Sequence, residues 1–167
     1  QSMDKLVDQI VDSYTRTAQE AGHKDAWNRL GIVCAQYKRY AQAQRAFNTA
    51  LGLDRNFLSA KINLGNVFYL RQEYQNALPV YHEAEEALRA SGETDSPLYL
   101  TVLLNIARAY YELENYERAG EYFTQRRYDR AAPPAHDLGL GRHVLDARGE
   151  ATRGPRSSAR RRTASSR

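Results

Sequence analysis

Residues 27–50 read WNRLGIVCAQYKRYAQAQRAFNTA and residues 61–84 read KINLGNVFYLRQEYQNALPVYHEA. Laid over one another, Trp27, Leu30, Gly31, Cys34, Tyr40, Ala43, Phe47 and Ala50 fall on Lys61, Leu64, Gly65, Phe68, Tyr74, Ala77, Tyr81 and Ala84, every pair 34 residues apart. A third copy, Leu103, Ile106, Ala107, Tyr110, Tyr116, Ala119 and Phe123, lies 42 residues beyond the second, so eight residues are inserted there. Self-similarity at such a period means one supersecondary unit stacked on copies of itself, because a single unit cannot bury its own apolar face.

Inside each half-unit the apolar positions recur at i, i+3, i+4 and i+7, the spacing of one face of an α-helix. Gly31, Gly65 and Ala107 leave room on the first helix of each unit, and Ala43, Ala77 and Ala119 do so on the second. Large residues opposite small ones predict an antiparallel helix pair, turning at Lys38-Arg39 in the first unit and at Arg71-Gln72-Glu73 in the second.

These positions resemble the tetratricopeptide repeat (TPR), whose signature is W-x2-L-G-x2-Y, then A-x3-F, with a proline often preceding the next unit. Arg55, in Leu53-Asp54-Arg55-Asn56, stands where that proline would be. The resemblance covers about residues 24–126 and implies an all-α fold, a right-handed α-solenoid of antiparallel helix pairs. It divides the chain into unit one at 24–57, unit two at 58–99 with a lengthened helix and loop, and an incomplete unit three at 100–131. In that lengthening, Glu85 to Ala90 extend a helix, Ser91-Gly92-Glu93-Thr94-Asp95 break it, and Ser96-Pro97 supply an N-cap and first helical residue. Lengthened units of this kind resemble those of kinesin light chain and of spindle-orientation adaptors. Pro79, close to a helix start near Tyr74, removes at most one hydrogen bond and predicts a slight bend.

Flanking segments depart from the period. Gln1-Ser2-Met3 (residues 1–3) reads as the remnant of a cleaved tag. Residues 4–22 hold an amphipathic helix (Leu6, Val7, Ile10, Val11, Tyr14, Ala18) in which Ile10, Tyr14 and Thr17 repeat the spacing of Ala43, Phe47 and Ala50, as a degenerate half-repeat or an N-terminal cap. Arg126 replaces the small residue expected after Phe123, and residues 132–167, rich in Arg, Ala, Gly, Pro and Ser without lysine, predict a basic disordered tail. Without a convincing closing helix, apolar surface around Leu104, Tyr111, Tyr122 and Phe123 is expected to stay partly uncovered, favouring self-association or marking part of a longer array.

Charge divides the chain. Residues 1–124 hold 13 Lys and Arg against 16 Asp and Glu, net −3, whereas residues 125–167 hold 11 against 4, net +7. An arginine-rich tail could neutralise phosphates of nucleic acid or of an anionic surface, which is the alternative functional reading. Aromatic residues that would stack on bases are missing from it apart from Tyr128, which argues against nucleic acid as a specific partner. No apolar run is long enough to span a membrane. The lone Cys34 precludes an internal disulfide, which points to a soluble, cytoplasmic protein.

No catalytic or metal-binding constellation emerges. His23, His82, His136 and His143 lack ligand spacing with Cys or carboxylates, Gly139-Leu140-Gly141 lacks the strand and helix of a phosphate loop, and Glu85-Glu86 reads as a solvated helix face. No cofactor is implied and no enzyme activity is expected. The resemblance implies instead a scaffold that binds a protein or peptide segment along the concave side, lined by the first helix of each pair. The candidate peptide-binding residues are Asn28 in unit one, Asn63, Asn66 and Tyr69 in unit two, and Asn105, Arg108 and Tyr111 in unit three. Leu70 and Glu112 share those faces, and Ile32 makes the first unit greasier. An asparagine amide can donate to and accept from an extended backbone at once, or it can bond between neighbouring helices. Arg108 suits a carboxylate, and Tyr69 and Tyr111 could flank an apolar anchor. Thr101 and Ile32 stand where a carboxylate clamp for chaperone tails would need lysine and asparagine, which disfavours that ligand.

Overall fold

The computed structural model describes residues 2–130, with side chains through residue 125; the arginine-rich tail, with His136, His143 and Gly139-Leu140-Gly141, lies outside the described residues. Seven helices follow one another: α1 Met3–Ala21, α2 Lys24–Gln36, α3 Tyr40–Leu53, α4 Leu58–Leu70, α5 Tyr74–Ala90, α6 Pro97–Glu112 and α7 Tyr116–Arg130. Each packs on the next, and the first helices of the pairs also touch one another, α2 on α4 and α4 on α6. That second set of contacts makes α2, α4 and α6 the inner layer of an all-α solenoid.

Small-against-large packing sets the pairing. A Cβ placed on Gly65 would sit 2.6 Å from the Tyr81 ring, and one on Gly31 would meet the Phe47 ring at least as closely. Phe47 and Tyr81 are fully buried as a result. Each such ring removes apolar surface worth about 1.5–3 kcal/mol from water. Cys34 belongs to the same core, where burial pushes its thiol up to about 11, so it is a packing residue.

The turn inside each pair has one backbone solution used three times. Lys38, Gln72 and Glu114 adopt left-handed φ of 59°, 62° and 61°. At the first turn Lys38 N–H donates to Ala35 O at 3.0 Å and Arg39 N–H to Cys34 O at 2.8 Å, and the pattern recurs from Gln72 to Tyr69 and from Glu73 to Phe68. At the third, Glu114 bonds Tyr111 and Asn115 bonds Tyr110. These are Schellman endings built without the glycine that usually supplies them.

The insertion is equally well defined. α5 continues through Pro79 to Ala90, Gly92 takes φ 74°, and the Ser96 hydroxyl accepts from Tyr99 N–H at 3.1 Å with Pro97 as first helical residue. Ser2 caps α1 and Met3 is its first helical residue. One sequence expectation is corrected. In α1 the face turned inward is Val7, Val11 and Ala18, not Ile10, Tyr14 and Thr17, because the smaller side chains permit close approach to α2; Tyr14 and Thr17 are exposed.

Candidate peptide groove and the buried polar links beneath it

The inner layer brings the sequence-selected residues into one region at two depths. Asn63 is fully buried and donates through Nδ2 to Oδ1 of Asn28 at 3.0 Å, joining α4 to α2. Asn105, also buried, donates through Nδ2 to Oδ1 of Asn66 at 2.9 Å, joining α6 to α4. The Tyr81 hydroxyl donates to that same Asn66 oxygen from α5. Of the two uses open to these asparagines, the bond between neighbouring helices is present: their amides link successive first helices. Amides sealed in this way are stabilising when paired and costly when stranded.

Tyr69, Arg108 and Tyr111 lie nearer the surface. Tyr69 packs edge-on against Tyr74 with ring centroids 5.1 Å apart, and Tyr111 packs against Tyr116 in the same way at 5.3 Å. The two pairs occupy equivalent positions in consecutive units. Burial and the Glu112 carboxylate raise the Tyr69 hydroxyl above its usual pKa, against the Arg108 guanidinium, which lowers it. Arg108 and Glu112, one turn apart on α6, therefore both act on the Tyr69–Tyr74 pair of the preceding unit. Among the described residues no carboxylate lies within ion-pair distance of Arg108. Repeat periodicity locates these residues, but it does not show that Tyr74 and Tyr116, known from the sequence only as repeat positions, complete the pairs.

A second polar cluster, unnoticed in the sequence, joins α5, α6 and α7. Glu85 is buried, not solvated as its neighbour Glu86 is. It lies 3.3 Å from the Arg89 guanidinium and 3.5 Å from His82 Nδ1, and its Oε2 makes no hydrogen bond. His82 Nε2 is 3.0 Å from the Tyr110 hydroxyl, and Arg89 and Gln125 both donate to the Tyr99 hydroxyl at 3.1 Å. Burial opposes ionisation of Glu85. The close approach of His82 and the Arg89 charge together outweigh burial, and the carboxyl is held below its usual range. The lengthened helix creates this cluster, because Glu85, Leu88 and Arg89 lie on the extension. No group of His, Cys, Asp or Glu able to hold a metal occurs among the described residues.

Two tetratricopeptide repeat family models match the chain, one over residues 24–57 and the other over residues 56–127. The chain belongs to the tetratricopeptide repeat family. Anaphase-promoting complex subunit 6 of Arabidopsis thaliana is 27% identical over 130 residues, which is 77% of this chain but only 22% of that protein's length. Two crystal structures of MamA share the TPR fold with it at TM-scores of 0.63 and 0.64 and 18% identity, over 75% of this chain and 64% and 69% of theirs. The fold is thus the TPR solenoid. Among the described residues no helix is long and apolar enough to cross a membrane.

Proposed function

We propose that this TPR chain is a non-catalytic interaction scaffold that holds an extended, acid-bearing peptide of a partner protein along the face formed by α2, α4 and α6. Arg108 carries the reading. It is a half-buried cation with no carboxylate partner among the described residues, set beside the Tyr69–Tyr74 pair. A guanidinium in that setting gains a charge-assisted hydrogen bond from a peptide carboxylate, and the tyrosine edges offer apolar contact to a neighbouring side chain. Asn28, Asn63, Asn66 and Asn105 serve the site by fixing the spacing of the first helices, with Tyr69, Arg108 and Tyr111 making the contacts. Membership in a family of interaction scaffolds supports the role, as does likeness to a protein named as a subunit of a complex.

Peptides selected from a random display library against the full chain test this. They should be enriched in Asp or Glu, and Arg108→Gln should weaken them about tenfold, a change of about 1.4 kcal/mol at micromolar affinity. Selected peptides that bind Arg108→Gln and Tyr69→Ala as they bind the parent chain would dispose of the groove. The polyanion alternative rests on the tail alone and predicts binding that deletion of residues 131–167 abolishes.

A further inference from the structure

The three units do not fill the space between their helices equally. Cys34, Phe68 and Tyr110 occupy one repeat position on the first helices, and Ala46, Val80 and Tyr122 occupy another on the second. In unit three these positions hold stacked phenol rings, Tyr110 and Tyr122, with centroids 5.9 Å apart, and the His82 ring lies 6.0 Å from each. In unit two Phe68 and Val80 pack against the apolar core. Unit one has only a thiol and a methyl group there.

A cavity opens where those rings are missing. It measures about 280 Å³ and lies between α1, α2 and α3. Val11, Leu30, Cys34 and Ala46, all buried, form its apolar wall, with the half-buried Trp27 beside them. A cavity of roughly 150 Å³ already admits a benzene ring, so this one has room for a ring and a short substituent.

Arg45 gives the cavity a charge preference. It is exposed on α3, lines the cavity next to Ala46, and its charge acts on the Cys34 thiol at the apolar wall, opposing the larger effect of burial. Among the described residues no carboxylate lies within ion-pair distance of it. Its repeat equivalents are Pro79 and Glu121, so the cation, like the missing rings, is particular to unit one.

We propose that this cavity binds a small aromatic carboxylic acid, its ring seated against Trp27, Leu30 and Cys34 and its carboxylate held by Arg45. Tyr110 is the internal counterpart of that ligand, a phenol at the position that Cys34 leaves short. The guanidinium selects a carboxylate through charge-assisted hydrogen bonds, and the apolar wall favours burial of a ring over a polar chain. None of the cavity's residues belongs to the peptide face, so the two sites stand or fall separately.

The probe is para-hydroxyphenylacetate, titrated into the full chain and read by the fluorescence of Trp27, the single tryptophan. The signal should saturate, and the neutral para-hydroxyphenylacetamide should bind about tenfold more weakly, the loss expected when a charged hydrogen bond becomes a neutral one. Arg45→Gln, at an exposed position, should remove that difference between acid and amide. Cys34→Phe, which copies Phe68, should fill the cavity and abolish binding of both. Ala46→Val, which copies Val80, is the gentler change and should weaken both even where the larger one does not fold. The proposal is overturned if the acid gives no saturable signal, if Arg45→Gln discriminates as the parent does, or if either filled variant, shown folded by circular dichroism, binds as the parent does. Tighter binding of N-acetyltyrosine amide than of the acid overturns it in favour of a tyrosine side chain from a protein partner.

Discussion

Oδ1 of Asn66 accepts two hydrogen bonds from two different helices, one from the Tyr81 hydroxyl on α5 and one from Asn105 Nδ2 on α6. One amide oxygen thus ties the second unit together and joins it to the third. Phe47, equivalent to Tyr81 in the first unit, shows that the ring packs without a hydroxyl. Tyr81→Phe should keep the fold and lower unfolding free energy by about 1–2 kcal/mol in urea titrations. Asn66→Ala strands both donors and should cost more; equal losses would mean that the shared oxygen has no role in stability.

Gly65 and Gly52 are both helical glycines and should respond oppositely to alanine. At Gly65 the added methyl enters the Tyr81 ring, and the variant should lose about 1–3 kcal/mol. At Gly52 nothing lies within 4 Å, so Gly52→Ala should gain up to about 1 kcal/mol from helix propensity. Thermal melts that move in the same direction for both would refute the packing account.

Three left-handed residues without glycine hold strain that substitution can relieve. Gln72→Gly removes the Cβ conflict at φ 62° and should stabilise the chain by up to about 1 kcal/mol, although glycine is destabilising inside a helix. Denaturant midpoints for Gln72→Gly and for its equivalent Glu114→Gly should both rise.

Glu85 should make acid stability pH-dependent. Its carboxyl is held below the ordinary glutamate value of 4.5 in the folded chain, so its contribution is present above that value and is lost as pH falls through the folded one. Stability measured from neutral pH downward should therefore decline less steeply for Glu85→Gln than for the parent. Identical slopes would show that the His82 and Arg89 interactions do not favour the charged carboxylate.

The periodic parts of this protein were legible because solenoid packing is local. A small residue and a large one at fixed spacing meet within one helix pair, so the antiparallel pairing was predictable although the specific partners, Gly31 with Phe47 and Gly65 with Tyr81, were not, and Ser96-Pro97 announces its own helix start. The membership of the inner face followed from the same period, but the depth of its residues did not. Asn63 and Asn105 have the chemistry of peptide-gripping residues and of interhelix links alike, and the rotation of each helix about its axis decides which surface they reach.

Sequence by itself determined the repeat, the pairing of helices and the segregation of positive charge to one end, since each depends on residue identity at short, fixed separations. Tertiary structure alone decided that the asparagines are buried links, that α1 turns Val7 and Val11 inward, that Glu85 is enclosed with His82 and Arg89, and that Phe123 is exposed where Phe47 and Tyr81 are buried. Those outcomes depend on how one unit sits against the next, where side-chain volume and the demand for paired polar groups choose among faces that the sequence pattern leaves equivalent.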